Sequence, residues 1–133
     1  MISEITRDML IQKAIDAMAF SYSPYSGYPV GAALLTDNDE VFSGTNIENA
    51  AYPTSMCAER TAIFKAVSED KKNFKAMAVV TKDGASPCGS CRQVMAEFAL
   101  DMQVFIADAN GKIHLKTTVK EFLPKAFGPG NLL

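Results

Sequence analysis

Lys75-Ala76-Met77-Ala78-Val79-Val80-Thr81, then the stretch 82–87, then Cys88-Gly89-Ser90-Cys91-Arg92-Gln93, read as a strand, a loop and the start of a helix. The first seven residues carry Val79-Val80 among small apolar neighbours, as expected of a short buried strand. Residues 88–100 read as a helix. Further on, 103–107 and 112–116 read as two strands around the turn Asn110-Gly111, and 119–123 as a short helix stopped by Pro124. On the N-terminal side, Ser3 reads as a helix cap with Glu4 in the first turn, suiting the helix dipole. Ile11, Ala14, Ile15 and Met18 then line one helical face, and Pro24 and Gly27 end the pattern. Residues 30–36 and 41–45 flank the turn Asp37-Asn38-Asp39 and predict a hairpin. The stretch 46–54 reads as a loop and 55–69 as a helix. Five strands interleaved with helices predict the α/β class: a three-layer α/β/α sandwich around a five-stranded mixed sheet. The hairpin argues against an all-parallel sheet.

At 133 residues, 48% of them hydrophobic, the chain has the size and composition of one domain with a real core, spanning 1–133. A formal net charge of -2 offers no basic face for phosphates, so a nucleic-acid partner is not expected. The longest apolar run, 76–80, falls far short of the roughly 20 residues that span a bilayer, so no membrane association is expected. Met1-Ile2-Ser3-Glu4 lacks the basic start and apolar block of a secretory signal. Three cysteines, an odd count with two spaced C-x-x-C, fit metal binding in a reducing compartment better than a disulfide framework. A cytoplasmic protein is the expectation.

All three cysteines fall in two fragments, Cys57-Ala58-Glu59-Arg60 and Pro87-Cys88-Gly89-Ser90-Cys91-Arg92-Gln93. Both open predicted helices, with Cys57 in the first turn of one and Cys88 and Cys91 in the first turn of the other. A spacing of three puts Cys88 and Cys91 on one face. Two helix N-termini would bring partial positive charge to one point and favour thiolates, the form that binds zinc. Three thiolates hold a zinc ion and leave a fourth position for water. Glu59, which is not expected to be a ligand, would carry protons beside it. Arg60 and Arg92 are candidates to donate hydrogen bonds to the sulfurs and so restore Lewis acidity. Zinc deaminases of nucleobases use such a set, three cysteines with a non-ligand glutamate.

Simpler readings explain less. A redox C-x-x-C would leave Cys57 and Glu59 without a part. A structural zinc needs a fourth protein ligand, and the one histidine, His114, falls in a predicted strand. A non-catalytic, zinc-stabilised binding module predicts a saturated site indifferent to loss of Glu59.

The two fragments resemble the signature blocks of the cytidine deaminase family, in its small homotetrameric branch with three cysteine ligands. The resemblance extends through Ser23-Pro24-Tyr25-Ser26, Val30-Gly31-Ala32-Ala33-Leu34, Gly44-Thr45-Asn46-Ile47-Glu48-Asn49-Ala50-Ala51-Tyr52, Glu121-Phe122-Leu123-Pro124 and Phe127. It implies hydrolytic deamination of cytidine and deoxycytidine, with one zinc per subunit on Cys57, Cys88 and Cys91 and Glu59 as proton shuttle. It implies that Asn46 and Glu48 hold the ribose, and that backbone groups at Ala58 and Ser86 meet the pyrimidine's amide edge. Tyr28 stands where this branch usually has phenylalanine stacked on the base, so its hydroxyl needs a partner. Phe127 resembles a tail aromatic that reaches a neighbouring subunit's site, which implies a homotetramer with shared sites. Deaminases of the blasticidin S type keep the zinc blocks but differ in the ribose loop, where Asn46-Ile47-Glu48-Asn49 favours cytidine. Polynucleotide editors commonly have histidine as first ligand, unlike Cys57.

Overall fold

A computed structural model describes residues 1–133. The chain runs α1 (Glu4–Met18), β1 (Gly31–Thr36), β2 (Val41–Thr45), α2 (Ala58–Ser68), β3 (Phe74–Thr81), α3 (Gly89–Phe98), β4 (Gln103–Asp108), β5 (Ile113–Thr118) and α4 (Val119–Phe122). The strands form one sheet in the order β2-β1-β3-β4-β5. β3 and β4 pair in parallel, and every other pairing is antiparallel. Parallel neighbours need a crossover, and α3 supplies it. The expected mixed five-stranded sheet is what the chain forms.

Alternation along the strands makes two cores. Ala32, Leu34, Met77, Val79, Val104 and Ile106 face α2 and α3, meeting Ala62, Ile63 and Met95. Ala33, Leu35, Ala76, Ala78 and Val80 face the other way, onto Leu10, Ile11 and Ala14 of α1. Because the inner strands are apolar on both sides, each face needs a helical layer. That requirement produces the sandwich.

The boundaries shift in ways that matter. α1 ends at Met18, before Pro24, and its stripe buries Leu10 and Ala17 with Ile11 and Ala14. Ser3 caps it as expected, accepting the Thr6 N–H at 3.1 Å. α2 begins at Ala58, three residues later than the composition suggests, because Met56 is held extended in a bridge to Ile47. Cys57 is therefore the N-cap of α2, and Cys88 the N-cap of α3. Neither lies inside its helix's first turn as expected, whereas Cys91 does.

β1 runs antiparallel to both neighbours, so Gly31 lies opposite Thr45 and Val80. Val30, Asn46 and Thr81 therefore gather at one end of the sheet. Gly44 lets α2 settle there: a Cβ on it would lie 2.5 Å from Ala62 N and 2.6 Å from Ala58 O. Any side chain at that position would push the start of α2 off the sheet.

Candidate active site

The N-termini of α2 and α3 meet above these strand ends and bring the three thiols together. Cys57 Sγ lies 3.9 Å from Cys88 Sγ, which lies 3.4 Å from Cys91 Sγ, and all three sulfurs fall within 4.8 Å of one another. A tetrahedral zinc with bonds of about 2.3 Å needs sulfurs about 3.8 Å apart, so the spacing fits the ion. His114 is not part of the cluster; its Nε2 lies 2.8 Å from Asp108 Oδ2. Neither Cys57 nor Cys88 uses its side chain to cap its helix, which leaves both thiols free to point at a common centre.

Arg60 Nη2 donates to Cys57 Sγ at 3.3 Å. Its Nε is buried without a partner. Hydrogen bonding from the Cys91 thiol, helped by Arg60, pulls the Cys57 thiol down to about 5. The same bond and burial push Cys91 up, so the proton they share stays on Cys91. Arg60 is raised in turn by its bond to Cys57.

The arginine expectation is half right. Arg92 does not reach a sulfur: its Nε donates to Pro87 O at 2.9 Å and its Nη1 to Phe122 O at 3.2 Å. Its guanidinium lies 4.5 Å from the centre of the Phe122 ring. Arg92 braces the start of α3 against α4 and leaves the sulfurs to Arg60.

Glu59 is 4% exposed at the floor of a cavity of about 490 Å³ lined also by Tyr28, Asn46, Glu48, Cys57 and Cys88. Burial first, then the Cys57 charge, raises its carboxyl from 4.5 to about 6. A buried carboxyl with a pKa close to neutral beside a metal-ligand cluster is suited to proton transfer. A larger open groove of about 1260 Å³ lies at the opposite end of the sheet, under the N-terminal segment. It holds no cysteine or histidine, and size alone does not mark chemistry.

Asn46 is 9% exposed and already busy. Its Oδ1 accepts from Ser21 Oγ at 2.5 Å and from the Val30 N–H at 2.9 Å, while Nδ2 donates to Tyr28 O at 2.9 Å. One Nδ2 hydrogen remains. Glu48 accepts the Tyr25 and Ser26 N–H groups at 2.9 and 3.1 Å and the Ser26 hydroxyl. The Ser26 hydroxyl holds its carboxyl below the usual value. Ala58, fully buried, is the first residue of α2, so its N–H has no intrahelical acceptor. Ser86 lines the cavity. Phe127 does not line it; the residue is 58% exposed and its carbonyl accepts from Gln93 Nε2 at 2.8 Å.

Sequence reasoning missed two of the partners that hold these groups: Ser21, which donates to Asn46, and Asp83, which accepts the Tyr28 hydroxyl. Ser26 lies within a block of the family resemblance but carries no expected role there. Neither Ser21 nor Asp83 carries a signal of its own, since a serine near a proline turn and an aspartate before a glycine read as ordinary loop chemistry.

Three sulfurs at two helix starts, with a buried carboxylate over an open cavity, define a metal-dependent hydrolase site. Residues 5–107 match the family model for the cytidine and deoxycytidylate deaminase zinc-binding region. The chain is 51% identical over 124 residues to a cytidine deaminase of Halalkalibacterium halodurans, covering 91% of this chain and 93% of that one. To a cytidine deaminase of Sporosarcina psychrophila it is 48% identical over 128 residues, covering 94% and 93%. A crystal structure of cytidine deaminase from Burkholderia pseudomallei superposes with a TM-score of 0.87 at 39% identity, covering 95% of this chain and all of that one. The protein belongs to the zinc-binding cytidine and deoxycytidylate deaminase family. Its cysteine triad fits that family's ion, one zinc per chain.

Proposed function

We propose that this chain hydrolyses cytidine and deoxycytidine to uridine and deoxyuridine, releasing ammonia. The observation that carries the reading is Glu59, buried beside three clustered thiols at the floor of a cavity of about 490 Å³. Cys57, Cys88 and Cys91 hold the zinc, which supplies Lewis acidity toward water. Glu59 takes a proton from the water that adds to C4 and passes it to the adjacent ring nitrogen. It then carries the second proton to the exocyclic nitrogen, the C4–N bond breaks, and ammonia leaves. Arg60 steadies the charge on Cys57 throughout.

The remaining residues seat the nucleoside. Tyr28 offers an aromatic wall for the base, and the free N–H of Ala58 and the backbone at Ser86 meet its amide edge. We read the spare Nδ2 hydrogen of Asn46 and the remaining lone pair of Glu48 as the groups that hold sugar hydroxyls. Because Glu48 also binds the 25–26 backbone, it couples the sugar site to the loop at the cavity mouth.

The chain acts as one domain over 1–133 and assembles as a homotetramer with shared sites. Two observations support assembly. Phe127 lies off its own cavity, and Tyr22, Tyr25, Ile47 and Tyr52 are all exposed. Three cysteines kept as thiols support a cytoplasmic placement, and no helix is long and apolar enough to cross a membrane. Zinc-loaded protein mixed with cytidine should release one ammonia per uridine formed, followed by ultraviolet absorbance. Stoichiometric zinc without turnover of cytidine or deoxycytidine would overturn the assignment.

A further inference from the structure

The connection 82–87 joins the end of β3 to Cys88, and Ala85, Ser86 and Pro87 line the cavity. Besides the Arg92 bond to Pro87 O, several contacts hold it. The Ala85 N–H donates to Thr81 Oγ1 at 2.9 Å. Gly84, at φ +73°, lies so close to the His114 ring that an added Cβ would be 2.6 Å from its Cδ2. Asp83 Oδ1 accepts from the Tyr28 hydroxyl and from Thr81 Oγ1, the latter at 3.3 Å. The bond to Tyr28 is the hydrogen bond that ties this connection to the aromatic wall of the cavity. Lys82 adds to it, with Nζ 5.4 Å from the centre of the Tyr28 ring.

We propose that Asp83 is a positioning residue: by accepting the Tyr28 hydroxyl it fixes that ring relative to the 85–88 wall and so sets the width of the slot for a flat heteroaromatic base. Neither Asp83 nor Lys82 lines the cavity, so both act through Tyr28. A phenylalanine at this position would keep the ring and lose the tether. The proposal deepens the nucleoside reading above and rests on it.

The test compares Tyr28→Phe, Asp83→Ala, Asp83→Asn and the double variant Tyr28→Phe/Asp83→Ala, all zinc-loaded. A single exposed hydrogen bond is worth about threefold to tenfold. Tyr28→Phe and Asp83→Ala should each raise KM for cytidine by about that factor while kcat changes by less than about twofold. The double variant should be no worse than either alone, since both break one bond. Asp83→Asn keeps an acceptor for the hydroxyl and should return KM to within about twofold of the parent. Amide hydrogen exchange across 82–87 should quicken equally in Tyr28→Phe and Asp83→Ala. Effects that multiply in the double variant, a fall in kcat at constant KM, or unchanged exchange in Tyr28→Phe would overturn the tether. Should the parent protein fail to turn over cytidine, the function assignment falls, and the exchange comparison alone decides whether the tether exists.

Discussion

Glu59→Gln should make the metal-free protein more stable at neutral pH while abolishing most of its activity. The fold raises the Glu59 carboxyl from 4.5 to about 6, chiefly by burial. At about 1.4 kcal/mol per tenfold, holding that group ionised at pH 7 costs the fold about 2 kcal/mol. Glutamine keeps the shape and removes the charge. The sign follows from linkage. A carboxyl raised in the folded state contributes its stability fully below about 4.5 and loses it as pH climbs through about 6. The variant should therefore exceed its parent by about 2 kcal/mol at pH 7, with the difference shrinking toward zero near pH 4. Urea unfolding of both proteins, reduced and chelated, across that range measures it. Zinc-loaded Glu59→Gln should meanwhile lose at least the factor of about 10² to 10⁴ that a general acid–base group supplies. A variant less stable than its parent at pH 7, or a difference indifferent to pH, would refute the claim that burial of this carboxylate is a cost borne for catalysis.

Removing a ligand separates the metal's structural and chemical parts: Cys88→Ala should bind well under one zinc per chain by elemental analysis, and its thermal midpoint should fall to that of the chelated parent. Normal zinc stoichiometry in it would exclude Cys88 as a ligand. Because Cys91 holds its proton above the usual thiol value, zinc must displace that proton, so apparent affinity should rise with pH. Competition with a chromophoric chelator at pH 6, 7 and 8 checks this, and a flat profile would contradict it. Asn46→Ala should lower stability as well as raise KM, because it strands the Val30 N–H and the Tyr28 carbonyl at about 1–3 kcal/mol each. Unchanged urea stability would reduce Asn46 to a substrate contact. Sedimentation of active protein at the mass of one chain would defeat shared sites and leave Phe127 without a part.

The triad was legible because its chemistry is written in spacing. Cysteines at two predicted helix starts, with a glutamate two residues after the first, form a ligand set whose chemistry is recognisable before the fold brings Cys57 to Cys88. The sheet was legible for a similar reason, since runs such as 76–80 admit few alternatives to a strand covered on both faces. Arg92 shows where the reasoning stops. It follows Cys91 directly, yet one residue along a helix rotates a side chain by about 100°, and Arg92 turns to Phe122 while Arg60 faces the sulfur. The start of α2 was misplaced because the bridge from Met56 to Ile47 is a long-range contact that no local propensity records. Asp83 was invisible for the same reason, since its partner lies 55 residues away.

These contacts explain why the site sits on helix ends. A triad of thiolates needs positive potential but no side-chain donor at the metal's open corner, where a donor would compete for the substrate. Two helix N-termini without side-chain caps supply that potential through backbone N–H groups, and Arg60 adds a full charge beside Cys57. The same helix start carries Glu59 into the apolar floor, where low dielectric lifts its proton affinity into the working range. One short segment, 57–60, thus sets the charge of the metal site and the basicity of the proton carrier together. Changing the electrostatics of either should move the other: replacing Arg60 with an uncharged residue should raise the Cys57 thiol and weaken zinc uptake at low pH before it affects the fold.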